Sequence, residues 1–215
     1  PAKEDEVEED EYAGLSPRER LLTTKADVAD LASLLMEDPV LHVSTLTRLI
    51  KMTHLKNPVT AQLAIMALIP IFKALAPSYK IRELTETEKR EKVTKEVAKV
   101  RLFEQALVQN YQDYVSLLAQ LARVSYTHAI GNSKITAIDT RSGHLADRAA
   151  CELSLLSLRY FNRRTEVFLI VIRRLNRKPS HEKDLEVFLQ CVRTLETLLI
   201  DDAEQGDISF DIMKI

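Results

Sequence analysis

The sequence has no tryptophan, only four glycines and only two cysteines in 215 residues. So few glycines leave little chain that can take a positive φ at low cost, which argues against a β-rich or turn-rich fold. The two cysteines, Cys151 and Cys191, sit inside apolar helical patterns. They read as reduced, buried thiols of an intracellular protein rather than a disulfide framework. No run approaches the roughly 18 consecutive apolar residues of a membrane span, so no membrane contact is expected. No leader peptide pattern is visible. Phosphate-binding glycine loops, the nucleophile elbow and the dinucleotide fingerprint are missing. The five histidines, His42, His54, His128, His144 and His181, form no metal pair at i,i+4, and the spacing of Cys151 and Cys191 from His144 and His181 fits no zinc pattern. The residues therefore predict no enzyme, no metal and no cofactor.

What is present is apolar and helical. The chain is 46% hydrophobic with a formal charge of −2. That supports a real core in one elongated domain or two small ones, and it confines any nucleic-acid contact to a local patch. Residues 1–14 form an acidic run (Glu4, Asp5, Glu6, Glu8, Glu9, Asp10, Glu11) that repels itself and buries nothing. It reads as a disordered arm or one laid on a basic partner. The chain opens inside this run and stops at Ile215 without a finishing element, so a segment of a larger protein is expected.

Ser16-Pro17 with Glu19 starts a helix in which Leu21, Val28, Leu31 and Leu35 are apolar. Asp38-Pro39 opens a second, with Val43, Leu46, Leu49, Ile50 and Met52 buried. Asn57-Pro58 opens a third that is apolar nearly all round, with Lys73 its only charge and Pro70 a kink. A helix without a polar face must be covered on several sides. Within this 15–77 three-helix unit, the antiparallel pair opened at Pro39 and Pro58 resembles one HEAT-type repeat in its size of about 38 residues and its openings, and a generic helical hairpin fits equally. Residues 131–143, from Gly131-Asn132-Ser133 to Gly143, read as a flexible loop. Helical pairs follow over 144–203, with Phe161 to Thr165 as a turn. Arg173, Arg174, Arg177 and Lys178 suit a helix C-terminus, and Pro179-Ser180 opens a last helix with Leu185, Phe188, Val192, Leu195 and Leu199. Asp201-Asp202 is an exit, and 204–215 is an unassigned tail. The fold class is all-α: a HEAT-like α-solenoid segment of paired antiparallel helices with one long charged helix over about 85–130.

That long helix, with its connector from residue 78, organises the chain. Thr85 followed by Glu88 is a capping-box signature, and neither Gly nor Pro recurs before Gly131. Its first half carries Lys89, Arg90, Lys92, Lys95, Lys99 and Arg101 against Glu91 and Glu96, with only Val93, Val97 and Val100 as an apolar stripe. From Phe103 the stripe widens through Leu107, Tyr111, Tyr114, Leu118 and Leu121. The first half is expected to project over solvent or a partner while the second packs into the body. Its basic residues, with Arg163 and Arg164 at the head of a later helix, are the candidate contacts for a partner or RNA. A solvated helix face is the plainer reading of the same charges.

The run Tyr79-Lys80-Ile81-Arg82, Leu84-Thr85, Glu88-Lys89, Lys92-Val93, Lys95-Glu96-Val97, Lys99, Phe103-Glu104-Gln105 and Tyr111 resembles the nucleolar complex-associated protein 3 family. Phe161-Asn162-Arg163 is similar to that family's later turn, though Tyr160 stands where the family has His. Leu195-Glu196-Thr197-Leu198 with Asp201-Asp202 is similar to its helix exit. The resemblance implies the amino-terminal helical region of a nucleolar, non-enzymatic factor for large ribosomal subunit assembly. The partners it implies are the second nucleolar complex-associated protein, large-subunit pre-ribosomal proteins and, as a further contact, precursor rRNA. It also implies an alternative, a chromatin-associated adaptor in the initiation of DNA replication.

Overall fold

The computed structural model describes residues 14–54, 58–82, 84–128, 137–158, 160 and 162–215, the side chains of 124–128 and 137–140 excepted. The acidic arm over 1–13 and Phe161 lie outside the described residues. Every regular element among those described is a helix: α1 Pro17–Glu37, α2 Val43–Met52, α3 Pro58–Leu75, α4 Glu86–Arg90, α5 Lys95–His128, α6 Ala137–Leu156, α7 Arg164–Leu175, α8 Glu182–Asp201 and α9 Asp207–Met213. The all-α expectation therefore stands.

The helices pack in two rows. α1, α3, α6 and α8 form one, each against the next, and α2, α5, α7 and α9 form the other. Helices that follow one another cross between the rows, as α1 with α2, α5 with α6 and α7 with α8. Paired helices whose faces bury only against neighbours generate this pattern. α3 shows why it is needed. By length and composition alone it could cross a membrane. Here α1, α2 and α6 surround it, and Ala64, Ile65, Leu68, Ile71 and Phe72 are buried, while Val59 and Met66 remain exposed. At the centre the Phe72 ring meets Tyr111 edge-on at 5.1 Å and stacks with Tyr114 at 5.3 Å, and Tyr111 meets Tyr160 edge-on at 5.2 Å. The Tyr114 hydroxyl donates to the Ile65 carbonyl at 2.7 Å, fastening α5 to α3. Such aromatic pairs add about 0.5–1.5 kcal/mol each beyond the area they bury.

Four sequence expectations are corrected. First, the long helix over 85–130 is two helices. α4 ends at Glu91, which is extended (φ −68°, ψ 135°). Thr94 then starts α5, its hydroxyl accepting from the Val97 N–H at 3.4 Å. Arg101 holds the break by donating to the Glu88 carbonyl at 3.0 Å and to the Glu91 carboxylate at 3.4 Å. A second hydroxyl cap, rather than Gly or Pro, marks this break. Second, residues 137–143 of the expected loop are helical, because α6 begins at Ala137, while 131–136 lie outside the described residues; Gly143 lies buried inside α6, and Gln62 of α3 donates to Ser142 at 3.2 Å. Packing overrides local helix weakness there. Third, the 204–215 tail holds α9. The Asp202 carboxylate accepts from the N–H groups of Ile208 and Ser209 at 3.1 and 2.7 Å and so starts that helix.

Fourth, α2 begins at Val43 rather than at Pro39, because the Asp38 carboxylate accepts from Val40 and Leu41 and turns the chain first. α8, whose apolar residues lie on two faces, buries the narrower one. Asp184, Val187, Cys191, Thr194 and Leu198 point inward, whereas Leu185, Val192 and Leu199 are 43, 40 and 44% exposed.

Candidate interaction surfaces

The basic segment leaves the body as the sequence suggests. α4 makes none of the helix packing that ties the other elements together, and residues 95–100 of α5 are all exposed. Val97, Val100 and Leu102 are 43, 46 and 63% exposed, whereas Leu107, Tyr111, Tyr114 and Leu118 are buried. Among the described residues Arg90, Lys92, Lys95 and Lys99 have no ion-pair partner. Lys89 pairs with Glu86 at 2.8 Å, and Arg101 is committed to the α4–α5 break. The result is a short cationic ridge with an apolar edge.

The residues that carry the family resemblance hold the root of this ridge. Asn162 clasps the connector at two points: its Oδ1 accepts from the Ile81 N–H at 3.1 Å, and its Nδ2 donates to the Ile81 carbonyl at 2.9 Å. The Ile81 side chain is buried. Arg82 grips the Glu88 carboxylate with both terminal nitrogens, at 2.8 and 2.5 Å. Glu88 also accepts from the Thr85 N–H at 2.9 Å, closing the capping box. The Arg82 guanidinium and the Thr85 donors hold the Glu88 carboxyl well below the usual carboxylate range. The Tyr79 hydroxyl donates to Glu104 at 2.5 Å, which raises its proton affinity. Leu84 is half-buried, and Phe103 packs on the core edge. These contacts fix the angle at which the ridge departs.

Arg163 and Arg164 sit apart from the ridge, engaged inside the fold. Arg163 takes a left-handed backbone (φ 59°) at the head of α7 and donates to Gln112 and, at 2.6 Å, to Glu166. Arg164 donates to Asp211 of α9 at 2.5 Å. Both tie neighbouring helices together, α7 to α5 and α7 to α9.

Sequence reasoning missed a buried ionic cluster between α6, α7 and α8. Arg174 is 3% exposed, and its Nη2 donates to the Asp184 carboxylate and carbonyl at 2.5 and 2.7 Å. The same carboxylate receives Arg177 at 3.3 Å, the Ser180 N–H at 2.8 Å and the His144 ring at 3.2 Å. These donors hold Asp184 ionised against the cost of its burial, and burial pushes the His144 ring down. Asp147 stands 3.7 Å from Arg174, an ion-pair distance, yet its carboxyl is pushed up to about 7. Desolvation outweighs attraction there because, among the described residues, no donor reaches Asp147 within hydrogen-bond distance. The Cys151 and Cys191 thiols lie 3.5 Å apart and buried between α6 and α8. Among the described residues no three metal-ligating side chains converge. The missed signal is that Asp184, Val187 and Cys191 share one helix face, a carboxylate on a buried stripe that needs a cation.

Residues 23–114 match the family model described as Nucleolar complex-associated protein. The chain is 44% identical over 179 residues to Nucleolar complex-associated protein 3 of Saccharomyces cerevisiae, covering 83% of this chain and 25% of that protein. It is 31% identical over 206 residues to the mouse Nucleolar complex protein 3 homolog, covering 92% and 24%, and 28% identical over 192 residues to the Arabidopsis thaliana protein, covering 89% and 21%. The chain thus spans about a quarter of the length of these relatives. The family match begins inside α1 and runs through the clasped connector and the ridge to Tyr114 in the aromatic core, and over this span the chain belongs to the nucleolar complex-associated protein 3 family.

Proposed function

We propose that this chain is a helical docking segment of a non-enzymatic nucleolar factor in large ribosomal subunit assembly, and that its cationic ridge is the part that reaches out. One observation carries the reading. Arg90, Lys92, Lys95 and Lys99 stand free of ion pairs among the described residues, on a helix end that also exposes Val97, Val100 and Leu102. A helix end that is both cationic and apolar is poorly explained as a solvated face. The relatives' names place them in a nucleolar complex, which fits a nucleolar address and protein partners. The partners we propose are the second nucleolar complex-associated protein and large-subunit pre-ribosomal proteins. Precursor rRNA would meet the ridge lysines, each phosphate contact adding about one to the salt slope of binding.

The test is affinity purification of the full-length parent protein from nuclear extract, with and without ribonuclease. The same is done with a variant carrying Lys92→Glu, Lys95→Glu and Lys99→Glu. Large-subunit proteins and precursor RNA should co-purify, a protein partner should survive ribonuclease, and the variant should lose particle association. Recovery of replication-origin proteins with no ribosomal precursors would favour the chromatin-adaptor alternative instead. Undiminished particle association of the variant would remove the ridge from the reading.

A further inference from the structure

The first row of helices is built differently at its two ends. α4 aside, the chain alternates between the rows: α1, α3, α6 and α8 fall in the first, α2, α5, α7 and α9 in the second. Within the first row each helix is covered by the next, α1 by α3, α3 by α6 and α6 by α8. α8 is the last of that row among the described residues, and its neighbours are α6, α7 and α9.

The outer side of α8 has the make-up of one more packing face. Leu185, Leu189, Val192 and Leu199 follow one another at helical steps, so they line one stripe about 21 Å long. They are 43, 42, 40 and 44% exposed, and Ile200 at the edge of the stripe is 65% exposed. Glu196 takes the step between Val192 and Leu199. On α1, at the other end of the row, the exposed stripe mixes Arg18, Lys25 and Ser33 with Leu22, Ala29 and Met36. The terminal unit of a helical stack needs a polar outer face to stay in solution. α1 has that character, and the stripe of α8 does not.

Two observations choose the occupant. The alternation returns the helix after α9 to the first row, where the open position is the outer face of α8. α9 itself packs on α7 and α8, so it delivers the chain beside that face. The chain also covers only 25 and 24% of the yeast and mouse relatives, so a parent of that length has chain enough to supply a further helix. A second copy could match the stripe in shape but has no such connection to it. We propose that the first helix following Ile215 in the parent protein packs along Leu185, Leu189, Val192 and Leu199 and continues the first row. This rests on reading the chain as a segment of a longer protein, and not on the ridge or its partners.

The test is photo-crosslinking in the full-length parent protein, prepared as an equal mixture of isotope-labelled and unlabelled copies. Leu189→p-benzoylphenylalanine places the reactive group on the stripe, and Thr197→p-benzoylphenylalanine, on the exposed polar side of α8, is the control. After irradiation and digestion, mass spectrometry should find position 189 joined to a peptide within about 40 residues after Ile215, the length of one helical pair, with no mixing of labels. The control should not give that peptide. A label-mixed product would give the face to a second copy, a peptide from elsewhere in the parent would give it to another segment, and a yield no higher than the control would leave it facing solvent. Each of these would overturn the proposal. Val192→Asp sets a carboxylate in the seam, so limited proteolysis should cut just after residue 215 roughly tenfold faster or more, with cutting inside residues 14–215 unchanged. Unchanged cutting after residue 215 would count against the seam as well. Neither readout depends on particle association, so this inference and the proposed function can fail separately.

Discussion

Two basic regions look alike in the sequence and behave as opposites in the fold. The ridge over residues 89–101 and the run from Arg173 to Lys178 are both clusters of Lys and Arg near a helix end. On the ridge, Arg90, Lys92, Lys95 and Lys99 are exposed and have no ion-pair partner among the described residues. In the second run Arg174 is buried and holds three helices together through Asp184 and Asp147. The difference teaches that local charge density says little about whether a cation faces outward. What decides is whether a distant helix presents a buried carboxylate. α8 does so through Asp184, and no described element does so for the ridge.

The comparison breaks most sharply at Arg174. Arg174→Met leaves Asp184 buried with a single arginine partner and removes the cation nearest Asp147. Stripping one partner from a buried ion pair costs about 3–5 kcal/mol. For a domain of this size, where each kcal/mol lowers the melting temperature by about 2–4 °C, the melting point should fall by roughly 6–20 °C. Thermal unfolding by circular dichroism measures this directly, and adding Asp184→Asn should recover part of the loss. A melting point that does not move would mean that the cluster is ornament rather than anchor.

A smaller effect separates the two carboxylates inside that cluster. Asp147 is raised in the fold to about 7, so the folded state prefers its protonated form. Its contribution to stability is fully present below about pH 4, the unfolded value, and is lost as pH rises toward 7. The displacement corresponds to at most about 4 kcal/mol. Asp147→Asn cannot ionise and should escape this loss. Its advantage over the unmodified chain should be small at pH 4 and should grow toward about 4 kcal/mol by pH 8. Asp184 runs the other way: its carboxyl is lowered, so its contribution is present above the usual carboxylate range and fails only in strong acid. Denaturant unfolding at several pH values tests the sign. A flat difference from pH 4 to 8 would mean that Asp147 stays ionised throughout.

Much of this architecture was legible in the sequence because helices announce their starts. Ser16 with Glu19 and Thr85 with Glu88 both form the reciprocal capping boxes their spacing predicts. The stripe from Leu107 to Leu118 is buried as its period requires. Thr94 does not stand out as a cap because nothing three residues on completes a box, and the β-branched pair Val93-Thr94 reads equally well inside a helix. The buried face of α8 is not legible for a different reason. The helix has two apolar faces, Leu185, Leu189, Val192 and Leu199 on one and Val187, Cys191 and Leu198 on the other, and periodicity cannot rank them. The tie from Asp184 to Arg174, set by a residue ten positions earlier, chooses the smaller one. Of the candidate contacts, the ridge lysines were legible as exposed, whereas the engagement of Arg163 and Arg164 with Gln112, Glu166 and Asp211 depends on helices far away in sequence.

The smallest expected effect sharpens the comparison from the other side. If the ridge cations are there for a partner, removing them should cost the fold almost nothing. Lys92, Lys95 and Lys99 make no ion pair among the described residues, and Lys95 and Lys99 lie on a helix end whose own turns stay intact with alanine. Alanine is at least as good a helix former as lysine. Positive charge near a helix N-terminus is mildly unfavourable, by about 0.3–1 kcal/mol per group where it matters at all, so its removal near the head of α5 slightly favours the helix. The triple change Lys92→Ala, Lys95→Ala and Lys99→Ala should therefore leave stability within about 0.5 kcal/mol, as denaturant unfolding would show. A large loss would mean that the ridge is braced by contacts within the chain, and its exposure could then no longer be taken as provision for a partner.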